Sequence, residues 1–348
     1  MSIVSSASAS SGIAGQSWRR WLGGASKPRP APRGRVIALH CSGAGAGQWR
    51  ALAAALGPGY ELTAPEHYGC DGTGPWTGAH AFTLADEAAR TIALIDRSDA
   101  KVHLVGHSYG GGVALNVALA RPGRIASLTL YEPSAFHLLK TMGLRAMSAS
   151  EEIAAIAYEV GERVTEGDFA RAAVRFVDYW GGAGAWAALR PSVQAALVRW
   201  APKAPLDFRA LMTEPTPPAA YAGLAMPCLV LRGEHAPRPT RLIAELLATR
   251  LPAARLAALE GAGHMGPLTH AAAVNELIVA HVNAAEAALR AARAPGPGIP
   301  AARPSPATAH RRPEAQVSAI PESAFAAFWL DVVGWKSWRA LLDSNQRP

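Results

Sequence analysis

Cysteine is scarce in this chain and does not cluster. Cys41, Cys70 and Cys228 are an odd number, far apart, without the spacing of a metal site or a disulfide framework. They are expected as buried or partly buried thiols. The 11 histidines form no HxH or HExxH pair, so neither a metal nor an organic cofactor is expected. No apolar run reaches the length of a bilayer crossing, which argues against a membrane span. Near the start, Arg19 and Arg20 follow a mild apolar stretch and lead into no apolar core. A secretory leader has the opposite order, so a cytoplasmic location is the expectation. Acidic charge is missing where the basic charge is densest. Residues 1–35 hold six basic and no acidic residues, and residues 290–348 hold eight basic and four acidic. The stretch between them carries 20 basic and 22 acidic residues, so the net charge of +8 belongs to the ends. A nucleic-acid partner is disfavoured for the body of the protein.

What is present is apolar sequence in regular alternation. Half of the 348 residues are hydrophobic, enough for a large core. Residues 1–33, Ser/Ala-rich and then Pro/Arg-rich, read as a disordered tail. Residues 286–348 read as a proline-rich linker followed by an aromatic segment, in which Phe325, Phe328, Trp329 and Val332 recur at helical spacing. The terminal DSNQRP is also what the reverse strand of a tRNA T-arm encodes, so gene-end read-through is an alternative source of that segment. Between the tails, strand signals at 35–40, 60–65, 101–106, 124–133, 226–233 and 254–261 alternate with helical ones. This predicts an α/β fold, a parallel sheet of about six strands covered by helices on both faces. Residues 135–222 break the rhythm. They hold amphipathic helical segments rich in Trp, Phe and Arg and no good strand, so they read as a helical cap inserted into a core made of 34–134 and 223–285.

One strand runs into a cluster of glycines: VHLVGHSYGGG, residues 102–112. Strand, GHSYG, then helix is the context of a nucleophile elbow. A serine on so sharp a turn needs neighbours without side chains two positions before and after it, here Gly106 and Gly110. Ser108 would then stand at a helix N-terminus, where negative charge is favoured. A serine hydroxyl needs a base. His264, in the loop EGAGHMG after the last strand, would reach the same sheet edge. His103 and His107 read as packing residues, and His270 as the start of the final helix. A carboxylate should orient the imidazole. Chain order leaves two positions, Glu132 after the fourth strand and Glu234 after the fifth. The oxyanion needs two preorganised N–H donors. The residue after the nucleophile, Tyr109, supplies one.

With these motifs, residues 35–283 resemble the serine-nucleophile branch of the α/β-hydrolase superfamily with a helical cap. The resemblance implies the strand order 2-1-3-4-5-6. It implies that HCSGAG, residues 40–45, matches the family's His-Gly-x loop with Cys41 in place of glycine, so that Ser42 is the second oxyanion donor. The acid usually lies about three residues past a glycine after the fifth of these strands, which here is Ala236. A minority of the family places it after the preceding strand, which favours Glu132 over Glu234.

The implied activity is hydrolysis of a small-molecule ester or related carbonyl compound through an acyl-enzyme. Dehalogenases and epoxide hydrolases of the superfamily use Asp at the elbow and are disfavoured. Carbon–carbon hydrolases, lactonases, acyltransferases and cofactor-free perhydrolases keep serine and stay open. A lapsed enzyme serving as a ligand-binding or interaction module is the alternative from another class. Phe136, Phe176, Trp180, Trp186 and Trp200 are candidates to line the pocket, with core packing as the competing role.

Overall fold

The computed structural model describes residues 32–70 and 72–293. The expectations for the N-terminal tail before residue 32 and for the aromatic C-terminal segment lie outside the described residues. Six strands form one sheet: β1 (Gly34–Leu39), β2 (Tyr60–Thr63), β3 (Val102–His107), β4 (Ile125–Tyr131), β5 (Cys228–Gly233) and β6 (Ala254–Leu259). Their spatial order is β2-β1-β3-β4-β5-β6 and every pairing is parallel. This is the α/β-hydrolase fold in the expected strand order.

Strand periodicity sorts the core into two layers. On β1, Ile37 and Leu39 pack on one side and Val36 and Ala38 on the other. The first layer takes helices α2 (Leu84–Ile95), α3 (Tyr109–Ala120) and α8 (Arg238–Arg250). The second takes α1 (Arg50–Leu56) and, after the one-turn α9 (Gly266–Thr269), the long α10 (Ala271–Arg293). A run that buries both strand faces must be apolar throughout, which is why β3 and β4 are buried at every position.

Between β4 and β5 the chain leaves the sheet. It forms a 3-10 segment (Phe136–Ala146), then α4 (Met147–Thr165), α5 (Phe169–Gly181), α6 (Pro191–Trp200), a turn of 3-10 helix (Ala201–Lys203), α7 (Ala204–Met212) and a 3-10 segment (Pro218–Gly223). This helical insertion occupies the stretch that lacks strand signals. One boundary differs from the sequence expectation. The last helix continues to Arg293, past the linker start expected at 286. The extra turns are alanine-rich, a strong helix former. They are also tied down, because Glu286 meets both His103 on β3 and Arg290 one turn on. Among the described residues no helix is long and apolar enough to cross a membrane.

Candidate active site

Ser108 sits between the end of β3 and the start of α3 with φ 54° and ψ −119°. Among the described residues, only Ser108 and Glu132 combine a side chain with positive φ. Such a conformation costs on the order of 1–3 kcal/mol and persists where the surroundings enforce it. The glycines explain how the turn closes. A Cβ on Gly106 would lie 2.5 Å from the Gly110 carbonyl, and one on Gly111 would lie 2.8 Å from Pro133. A Cβ on Gly110 would collide with the Leu39 and His40 carbonyls.

His264 Nε2 lies 2.9 Å from Ser108 Oγ, and His264 Nδ1 lies 2.7 Å from Glu132 Oε2. All three side chains are almost wholly buried. Glu132 follows β4, and its second oxygen accepts the Gly233 N–H at 2.8 Å while Thr240 donates to Oε2 at 2.9 Å. The carboxylate is thus fully partnered as an acceptor, which fixes its plane against the imidazole. The other carboxylate left open by the sequence, Glu234, is more than half exposed and accepts the Gly261 N–H from the β6 loop. Ala236 is buried.

The loop bearing His264 is held from two sides. Tyr131 donates its hydroxyl to the Gly263 carbonyl at 2.8 Å. His107 Nε2 lies 2.9 Å from the His264 carbonyl, while His107 Nδ1 lies 3.1 Å from Gln48 Nε2. A carbonyl can only accept, so His107 carries its proton on Nε2 and accepts from the amide of Gln48. Burial, reinforced by neighbouring His264, pushes the His107 pKa well below the ordinary histidine value, so this ring stays neutral. His107 therefore packs, as the sequence suggested, and in addition bridges two loops. The His264 ring lies between His107 and Trp180, with centroid separations of 5.2 and 4.1 Å.

On the other side of Ser108, Cys41 donates its N–H to Gln48 Oε1 at 3.0 Å, and burial pushes its thiol up to about 12. The backbone N–H groups of Ser42 and Tyr109 have no acceptor among the described residues. Both residues border a narrow pocket that also reaches Ser108. Phe136, Phe176 and Trp180, three of the five aromatic candidates, line it together with Phe208 and Leu211. Trp186 and Trp200 instead pack in the surrounding core.

Two polar residues at this pocket were not singled out from the sequence. Ser134 Oγ lies 3.1 Å from Ser108 Oγ. Asp207 accepts the Ser42 hydroxyl at 2.6 Å and pairs with Lys203 at 2.6 Å. Lys203 also reaches Glu87 at 3.2 Å, and Glu87 accepts the Tyr109 hydroxyl at 2.9 Å. Burial disfavours the Lys203 ammonium, but Asp207 and Glu87 outweigh it and raise its pKa above the usual lysine value. Among the described residues no three His, Cys, Asp or Glu side chains group as a metal site requires.

Known proteins resemble this chain in sequence and fold. It is 36% identical over 106 residues to lipase LipV of Mycobacterium tuberculosis, a match covering 30% of this chain and 39% of the lipase. In structure it superposes on the enol-lactonase of Burkholderia xenovorans LB400 with a TM-score of 0.56 at 17% identity, covering 72% of this chain and 91% of the lactonase. A thermophilic esterase from Thermogutta terrifontis gives a TM-score of 0.56 at 21% identity, covering 73% of this chain and 90% of the esterase. At those identities the two superpositions speak for the fold alone. The family model described as alpha/beta hydrolase matches residues 36–277, well over half of the sequence. The chain belongs to the alpha/beta hydrolase family of enzymes.

Proposed function

We propose that the protein is a serine hydrolase that cleaves a small-molecule ester or related carbonyl compound through an acyl-enzyme. The observation that carries this reading is the unbroken hydrogen-bonded series Ser108 Oγ, His264 Nε2, His264 Nδ1, Glu132 at the C-terminal edge of a parallel sheet. In this mechanism Ser108 Oγ attacks the carbonyl carbon as its proton passes to His264 Nε2. The carbonyl electron pair moves onto oxygen, where the N–H groups of Ser42 and Tyr109 hold it. Glu132 keeps the Nδ1 proton in place and stabilises the imidazolium. The alcohol leaves with the proton from His264. A water, deprotonated by His264, then releases the acid and restores Ser108. The helical insertion acts as a cap whose aromatic residues wall the acyl pocket. The resemblance to a lipase supports an ester as the substrate class.

The test is labelling with a fluorophosphonate together with turnover of p-nitrophenyl acetate. The native chain should be labelled at Ser108, and Ser108→Ala should lose both label and turnover, the latter by on the order of 10⁴-fold or more. Turnover surviving in Ser108→Ala would end this mechanism. A native chain that stays unlabelled would point to a binding module. Lactonase and carbon–carbon hydrolase activities use the same residues, and a screen of lactones and diketones separates them from ester hydrolysis.

A further inference from the structure

The buried ions beside the pocket connect residues that lie far apart in sequence. Lys203, in the insertion, is 5% exposed, and its partners Asp207 and Glu87 are 3% and 2% exposed. Lys203 Nζ donates to Asp207 Oδ1 at 2.6 Å and to Glu87 Oε2 at 3.2 Å. Asp207 Oδ2 accepts the hydroxyl of Ser42, on the β1 loop. Glu87 Oε2 accepts the hydroxyl of Tyr109, at the start of α3. The ammonium also lies 4.9 Å from the centre of the Tyr109 ring and 4.7 Å from that of Phe82. The stem packs on Gly69, where a Cβ would come within 3.2 Å of it. One cation thus ties together the side chains of both residues that supply the oxyanion donors.

We propose that Lys203 is a positioning residue for the oxyanion hole, aligning the Ser42 and Tyr109 N–H groups when the insertion is seated on the sheet. The inference rests on the reading that those N–H groups hold an oxyanion formed at Ser108. Two physical arguments support it. Stability alone gives no reason for a buried ion cluster, since apolar residues of the same volume hold a core as well or better. Charge gives another reason. Asp207 borders the pocket, and an unpaired carboxylate there would oppose negative charge developing on the substrate oxygen. Lys203 offsets it at hydrogen-bond distance.

Ser42→Ala and Tyr109→Phe each cut one tie and leave the N–H in place, and Lys203→Met removes the bridge. Each variant is compared with the native chain by kcat and KM on p-nitrophenyl acetate and by inhibition with a trifluoromethyl ketone. That inhibitor accepts Ser108 Oγ at its carbonyl carbon, passes the serine proton to His264 and places the carbonyl pair on oxygen as a stable oxyanion. In each single-tie variant kcat should fall about tenfold with KM changed less than about threefold. The inhibition constant should rise by the factor that kcat/KM loses. Lys203→Met should lose about 10²-fold in kcat, and Lys203→Arg should recover most of it. If Lys203→Met does not fold, the two single-tie variants decide. Unchanged kcat in either of them overturns the proposal. So does a loss confined to KM, or an inhibition constant that fails to follow kcat/KM. Activity lost in Ser108→Ala but intact in both single-tie variants refutes only the role of Lys203. Activity retained in Ser108→Ala refutes the underlying mechanism.

Discussion

The two walls of the pocket at Ser108 are built on different principles. The wall of Glu132 and His264 comes entirely from loops at the ends of β4 and β6, and its one carboxylate is satisfied by a backbone N–H, a threonine hydroxyl and the imidazole. The wall of Ser42 and Tyr109 leans on three ions drawn from α2 and from the insertion. On the first wall, geometry follows from where strands end. On the second, it depends on an insertion being docked and on a lysine being charged. Disturbing the insertion should therefore cost the second its charged partners, and the first only the packing of Trp180 against the His264 ring.

The sharpest way to break this contrast is at the acid. Glu132→Gln keeps the shape but cannot stabilise an imidazolium. It should lower kcat by at least 10² and up to about 10⁴, while leaving the thermal midpoint within a few degrees. Glu234→Gln, on an exposed loop, should change kcat by less than about threefold. The reverse ranking would move the acid to Glu234 and dissolve the first wall as described.

The second wall should respond in stability. Lys203→Met leaves Glu87 and Asp207 buried without their cation, and removing one partner of a buried ion group costs about 3–5 kcal/mol. Chemical denaturation should show that loss. A loss under about 1 kcal/mol would mean that the carboxylates find other partners or take up protons at little cost.

The sequence names the candidates on the first wall and, on the second, Ser42 and Tyr109, but not the three ions behind them. Ser108 stood out because a strained turn demands glycines at fixed offsets, and His264 because the last strand ends just before it. Glu132 needed more, since two carboxylates followed strands in the right chain order. The resemblance favours Glu132, and contact distinguishes the two: Glu132 Oε2 lies 2.7 Å from His264 Nδ1, while Glu234 accepts the Gly261 N–H. Lys203 and Asp207 stand at i, i+4, but no spacing connects that pair with Ser42, Glu87 or Tyr109. They meet because α7 docks against α3, and a lone Lys203 in APKAP looks like a solvated charge until its surroundings are known. The end of α10 lies beyond the linker start expected at 286 for a related reason. The proline-rich composition beyond it drew the boundary inward, while the tie from Glu286 to His103 on β3 is invisible in one dimension.

Acid should weaken the molecule around both walls. Burial lowers the pKa of His40 to about 3, with neighbouring His67 adding to the effect, and burial lowers that of His137 to about 4. Unfolded, both return to about 6.5. Between those limits the unfolded chain binds more protons than the folded one, so stability falls as pH drops below about 6.5. Each histidine contributes roughly 1.4 kcal/mol per pH unit. From pH 6.5 to 5.5 the two together should cost about 2 kcal/mol. Replacing His40 with Asn should flatten the urea-denaturation slope against pH in that window, and an unchanged slope would mean that the ring is already charged in the folded state.

The smallest expected effect lies where the two walls meet. Gln48 accepts the Cys41 N–H from the Ser42 loop and donates to His107, which in turn donates to the His264 carbonyl. Through His107 it links the Ser42 loop with the His264 loop. Gln48→Ala removes both bonds and leaves a buried N–H and a ring nitrogen unpaired, each costing on the order of 1 kcal/mol. Most of that should appear as stability. The kinetic part should be modest, about three- to tenfold in kcat, because His264 remains fixed by Glu132 and by Tyr131 through Gly263. Gln48→Glu sharpens the point. A carboxylate still accepts from Cys41 but cannot donate to His107, so it favours a proton on Nδ1 and a charged imidazole 5.2 Å from the His264 ring. Its kcat should fall further than that of Gln48→Ala, and the difference should grow as pH is lowered through 6. Equal activity in the two variants would show that the link carries no charge information between the walls.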